Sequence, residues 1–172
     1  MTIATGRSRF HAQEIIRELE FENYILCNGA AGFLDHEQVY KNLLDRDQLD
    51  TFVEEAQTKE IDTAFVSLDN MKRSSSNDVQ IMEEAMHSFG AVLPELDQFF
   101  VEDQDIYQAL AFFNKSYDTQ FQKYDKLRFV RWHENSVDVV PPLSDITHFS
   151  LHATIPDCSS VLTILRRIIC VI

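Results

Sequence analysis

A chain of 172 residues that is 45% hydrophobic, with 13 Phe but only 4 Gly and 4 Pro, has ample material for one core. That composition argues against a turn-dense all-β fold and against disorder. A net charge of −13 repels nucleic acid and anionic membranes and favours a basic partner, so neither direct nucleic-acid binding nor membrane association is expected.

Residues 8–26 place Ala12, Ile15, Ile16 and Leu19 at helical spacing, before "CNGAAGF" breaks the pattern. Asp35, with Gln38 three residues on, reads as the cap of a second helix carrying Val39, Tyr40, Leu43 and Leu44 inward. Asp47 reads as the cap of a third, where Leu49, Phe52, Val53 and Ala56 fall at i, i+3, i+4 and i+7. Ile61, Ala64, Phe65 and Leu68 continue at helical spacing. The polar "KRSSSND" is a loop, and a helix follows from Asp78 to Phe89 with Gly90 as its stop. Pro94 opens a short turn with Leu96, Phe99 and Phe100, and residues 103–127 read as a long helix striped by Ile106, Ala109, Leu110, Phe113 and Tyr117.

Beyond Lys126 the composition turns β-branched and aromatic. "LRFVRWHENSVDVVPPL" suggests a hairpin about "HENS", and "HFSLHATI" alternates as a strand does. The apolar end, residues 161–172, fits strand or helix. The expected fold is therefore mainly α with a small C-terminal β portion, a single-domain helical bundle. Residues 1–126 form its acidic helical domain, and residues 127–172 form a strand-rich extension packed on the same core.

No motif assigns catalysis. Cys27 beside "NGAAG", with His11 or His36 as base, lacks a third member and reads as a small buried hydrophobe. His148 and His152, near Asp145, could hold a metal on a helix, but the alternation favours a strand, where their side chains lie well apart and are poorer for chelation. Neither a metal nor a cofactor is expected. Cys27, Cys158 and Cys170 form no CxxC pair and no even framework, the opening residues hold no apolar signal run, and a cytoplasmic protein is expected.

The charge pattern is the sharpest feature. Between Arg73 and Lys115 there is no base, while Asp78, Glu83, Glu84, Glu95, Asp97, Glu102, Asp103 and Asp105 are all acidic. Caps and solvated helix faces account for some of these, but solvated faces usually mix signs.

The stretch "DTAFVSLDNMKRSSSNDVQIMEEAMHSFGAVLPELDQFF" resembles the small, acidic, mainly helical DNA-mimic proteins of bacteria. Phe65 closes a box, a Ser-rich loop follows, the helix from Asp78 to Phe89 ends in Gly90 and Ala91, and Asp118 with Phe121 matches a later helix start. The resemblance implies carboxylates displayed as surrogate phosphates. The expected function is an acidic interaction module without catalysis. It would use those eight acids to bind and inhibit a basic partner, a DNA-binding protein or nuclease, as a DNA mimic or an immunity-type inhibitor. The alternative is a helical peptide-binding module or homo-oligomer, using the pairs Phe99–Phe100 and Phe112–Phe113 as apolar surface.

Overall fold

The computed structural model of the protein describes residues 2–88, 90–142 and 168–170. The chain divides into a first unit, Met1–Asn42 with Leu143–Ile172, and a second, Leu43–Pro142.

The first unit is built on parallel strands. β1 (Thr2–Ala4) is buried throughout, and helix α1 (Arg9–Glu18) carries the chain over to β2 (Asn23–Leu26), which pairs with β1 in parallel. Two parallel strands need such a crossover, and a helix is its usual form. Ala12 and Ile16, one turn apart, are the face that α1 buries. β3 (Ala31–Leu34) and β4 (Glu37–Lys41) then form an antiparallel hairpin. Asp35 and His36 at its tip have φ of 48° and 66°, the left-handed pair that a tight hairpin turn requires. The expected helix cap at Asp35 is thus a hairpin turn, and Asp35 N–H donates to Asn23 Oδ1 at 3.0 Å.

The second unit alternates helix and strand. Helix α2 (Arg46–Thr58) starts one turn-half earlier than expected, because Asp45 is its cap and accepts from Gln48 N–H at 3.1 Å. Strand β5 (Asp62–Val66) follows, then β6 (Met71–Arg73), helix α3 (Val79–Ser88) and the two-residue β7 (Glu95–Leu96). β8 (Gln108–Phe112), the short helix α4 (Asp118–Phe121) and the hairpin of β9 (Arg128–His133) and β10 (Ser136–Val140) complete it. Among the described residues the strands form a sheet of order β7-β6-β5-β8-β10-β9. The core gathers Phe52 from α2, Phe65 from β5, Ala109 and Ala111 from β8, Phe121 from α4 and Val137 from β10.

In the first unit the last described strand, β11 (Ile168–Cys170), lies parallel to β1, giving the order β11-β1-β2-β3-β4. Part of the apolar end is therefore strand. The "HFSLHATI" strand, His148, His152 and Cys158 lie outside the described residues.

The fold is α/β with two mixed sheets, and the mainly helical bundle is overturned. Two strands account for most of the error. β5 and β8 pair with each other in the middle of their sheet, and all five residues of each are buried. A strand covered on both faces shows no alternation, so its apolar run also satisfies helical spacing. The helix expected over 103–127 is in fact a loop, β8 and the short α4.

Candidate functional site: the carboxyl edge of the parallel strands

In sheets with parallel strands, ligands bind outside the carboxyl ends of those strands, where helix N-termini converge. In the first unit that edge is made by residues 5–8 after β1 and residues 27–30 after β2. Thr5 N–H continues the ladder by donating to Ile25 O at 2.9 Å. Arg7 N–H then turns back onto Thr5 Oγ1 at 3.2 Å, and Cys27 N–H donates to Arg7 O at 3.0 Å. These bonds tie the two loops into one frame.

Backbone strain marks the second loop. Cys27, Asn28 and Gly29 have φ of 53°, 55° and 91° in succession. Left-handed geometry is costly for Cys and persists only where surrounding bonds impose it. The first loop needs a glycine for a different reason: a Cβ on Gly6 would lie 2.6 Å from Asn28 Oδ1. The Asn28 amide therefore sits where any other residue at position 6 would put its side chain.

Helix α1 adds an electrostatic feature. Ser8, at its cap position, makes no side-chain capping bond, and no acid lies in the first turn. The Ser8 hydroxyl instead meets His11 Nδ1 at 3.3 Å. Partial burial, with the Arg7 charge second, holds the His11 imidazole below its ordinary range. The first turn of the helix thus sets no carboxylate of its own against the positive end, and Arg7, exposed, adds a full positive charge. The Thr5 hydroxyl and the Arg7 guanidinium are donors of the kind that hold a phosphate oxygen.

The nucleophile readings fare poorly. Cys27 is buried, and burial pushes its thiol up to about 12, so the thiolate needed for attack is absent near neutral pH. His36 lies by Tyr24, ring centroids 6.1 Å apart, and His11 is engaged with Ser8. Residues 5–8 and 27–30 include no Asp or Glu. Among the described residues no group of three His, Cys, Asp or Glu could hold a metal ion.

All eight acids singled out in the sequence lie in the second unit. Asp78 caps α3, accepting from Ile81 N–H at 3.2 Å, while its own N–H donates to Asp62 Oδ2 at 2.6 Å. Glu83 and Glu84 are exposed on α3, and Gln80 Nε2 donates to Glu84 at 3.1 Å. Glu95 on β7 pairs with Lys72 Nζ at 2.5 Å, which holds its carboxyl below the usual range. Asp97 accepts from Phe99 N–H at 3.1 Å, and Glu102, Asp103 and Asp105 are exposed in the loop before β8. The base-free stretch thus borrows Lys72 from the neighbouring strand, a counter-charge that linear spacing hides. The Phe pairs also divide: Phe99 is 67% exposed, whereas Phe100, Phe112 and Phe113 are buried.

Sequence reasoning missed Thr5, Gly6, Arg7 and Asn28. A small "TGRS" turn between an apolar "TIA" and a helical pattern was the available signal, but three apolar residues are too few to read as a strand.

A model of the haloacid dehalogenase-like hydrolase family matches residues 1–145, and the chain belongs to that family. It is 30% identical over 139 residues to YkrA of Bacillus subtilis (strain 168), provisionally named a phosphatase, with 81% of this chain and 54% of YkrA covered. A crystal structure of a protein of unassigned function from Geobacillus kaustophilus HTA426 superposes with a TM-score of 0.80 at 28% identity, covering 86% of this chain and 57% of that one. BT1666 of Bacteroides thetaiotaomicron, described among phosphatases of the haloalkanoate superfamily, shares the fold at a TM-score of 0.73 and 18% identity, with 98% and 60% covered. The chain therefore spans less than two thirds of the length of each.

Family membership overturns several expectations together: the DNA-mimic resemblance, the acidic inhibitor of a basic protein partner, the non-catalytic apolar module set beside it, and the absence of enzymatic character. The resemblance rested on a rhythm of Phe65, a Ser-rich loop and a Gly–Ala stop. Here that rhythm belongs to a strand, a turn and one helix of an α/β unit. Among the described residues no helix is long and apolar enough to cross a membrane.

Proposed function

We propose that the chain belongs to a cytoplasmic phosphatase acting on small phosphomonoesters, and that the carboxyl edge of β1 and β2 holds the phosphoryl group. The observation that carries this reading is the frame of Thr5, Gly6 and Arg7, locked to residues 27–28 at an α1 terminus with no acid in its first turn. The provisional name of YkrA supports it. The buried, reduced Cys27 accords with the cytoplasm.

Phosphoryl transfer is catalysed mainly by positioning and by stabilising charge on the phosphoryl oxygens. Thr5 Oγ accepts from Arg7 N–H, which leaves its own O–H to donate to a phosphate oxygen. Arg7 supplies a forked, permanently charged donor, and the α1 terminus adds its partial positive charge. Charge-assisted contacts of this kind strengthen as negative charge builds on those oxygens. With no carboxylate in either loop and a neutral Cys27, this edge contributes binding and charge stabilisation rather than nucleophilic attack.

Calorimetric titration with phenyl phosphate tests the reading. Saturable binding is expected, weakened about tenfold or more by Arg7→Met, since a hydrogen bond to a charged group contributes roughly 1.5–3 kcal/mol. Equal binding by wild type and Arg7→Met, or none by either, would contradict it.

A further inference from the structure

Ser8 stands where a helix cap is expected, and it does not cap. Its backbone has the extended geometry of a capping residue, φ −73° and ψ 169°, yet its hydroxyl accepts from no N–H of α1. A serine in that position ordinarily stabilises the helix through such a bond. Ser8 is 3% exposed, and His11 Nδ1, at 3.3 Å, is the one partner of its hydroxyl among the described residues. Spacing of three along α1 sets the two side chains on one face. The Phe10 ring packs against the imidazole, with centroids 3.8 Å apart. The capping bond is thus given up for a tether that fixes His11 beside residues 5–8.

The charges around the ring are mostly positive. Arg7, directly before Ser8, is the charged group among the described residues that acts on it. Arg9 is turned over the Phe33 ring, and Glu14, one turn further along α1, is exposed. The positive end of α1 also disfavours a cation in the first turn, which holds no acid. An imidazolium is therefore opposed at this place until an anion arrives. His11 keeps contact with solvent, from which a proton can be drawn. A neutral ring either accepts from Ser8 or donates to it through Nδ1, whereas an imidazolium can only donate, which the Ser8 oxygen is placed to accept.

We infer that His11 is a second, proton-dependent cation of the phosphate edge, anchored there by Ser8, so that binding a phosphate draws a proton from solvent onto its ring. The inference rests on the reading of this edge as the phosphate site. Linkage fixes the sign: an anion that favours the imidazolium is itself bound more tightly by the imidazolium form. Affinity therefore gains as pH falls through the His11 titration, and the gain is lost as pH rises above it.

The full chain, 15N-labelled, is titrated from about pH 8 to about pH 5.5 with and without saturating inorganic phosphate at matched ionic strength, and its histidine rings are followed by NMR. His11→Asn identifies the His11 signals. Phosphate should raise the His11 midpoint by roughly half a unit or more, which corresponds to an about threefold gain in affinity on protonation. Ser8→Ala, which removes the anchor, should at least halve that shift. Calorimetry with phenyl phosphate gives a second reading, in which comparing variants at one pH cancels the ligand's own titration. The wild type should bind about twofold or more tightly than His11→Asn at about pH 5.5 and equally at about pH 8. His11→Lys, charged at both, should exceed the wild type only at the higher pH. A His11 midpoint that stays in place while phosphate saturates the chain overturns the inference and leaves the phosphate site standing. A His11→Asn variant, folded by circular dichroism, that matches the wild type at both pH values overturns it as well, and an undiminished shift in Ser8→Ala overturns the role of Ser8. No saturable phosphate binding by the wild type removes the reading of the edge and this inference with it.

Discussion

Gly6 and Asn28 compete for one space, and the backbone has settled the competition in favour of Asn28. A methyl group at position 6 would meet the Asn28 amide oxygen at 2.6 Å, so Gly6→Ala must push that side chain out of the loop frame. The expected result is a protein that stays folded and binds phenyl phosphate several-fold more weakly; unchanged affinity in the titration would show that the frame is not needed. Asp138 makes a second prediction at this scale. Burial raises its carboxyl from 3.8 to about 6 in the fold, so the folded state holds the proton more tightly than the unfolded chain does. That contribution is fully present below pH 3.8 and is lost as pH rises through about 6, on the order of 3 kcal/mol in all. Asp138→Asn should therefore gain stability relative to the wild type as pH rises across this window, read from urea midpoints. A constant difference between the two proteins from pH 4 to pH 7 would remove the buried-carboxylate account. Neither residue was legible beforehand. A glycine's meaning depends on what packs against it, and Asp138 in "SVDVV" looks like an ordinary outward residue of a hairpin strand.

Some elements with one face toward solvent were legible, although the largely exposed β4 was read as a helix. The stripe of α2 has Leu49, Phe52 and Ala56 buried as its spacing required, and the hairpin of β9 and β10 turns at Glu134–Asn135 within the "HENS" segment. Elements covered on both faces were not, and β5 and β8 were read as helices for that reason. The structure also shows what the aromatic content is for. Phe52 of α2 stands edge-on to Phe121, Tyr124 and Phe129, with centroids 5.2, 5.8 and 5.3 Å away. Phe52→Ala should cost about 3–5 kcal/mol in chemical denaturation, because a fully buried ring leaves a cavity its neighbours only partly fill. A loss below about 1 kcal/mol would mean that the helix does not anchor the second unit.

For the whole molecule, net charge misled more than it informed. A value of −13 and a base-free stretch of eight acids suggested a surface made to imitate DNA. In the fold those acids cap α3, pair with Lys72, order a turn or stand in solvent, each within the second unit. The edge we propose as the phosphate site lies in the first unit, where Arg7 and the end of α1 supply positive charge. Summed charge describes the far field, whereas ligand binding is decided within a few ångströms. We propose that this small positive edge holds phosphate. It is tested most directly by titrating inorganic phosphate into the 15N-labelled chain and following backbone amide shifts. Saturable shifts at Gly6, Arg7, Ser8 and Asn28, abolished by Arg7→Met, are the predicted result. Saturation without movement at those four amides, or shifts confined to residues 43–142, would contradict it.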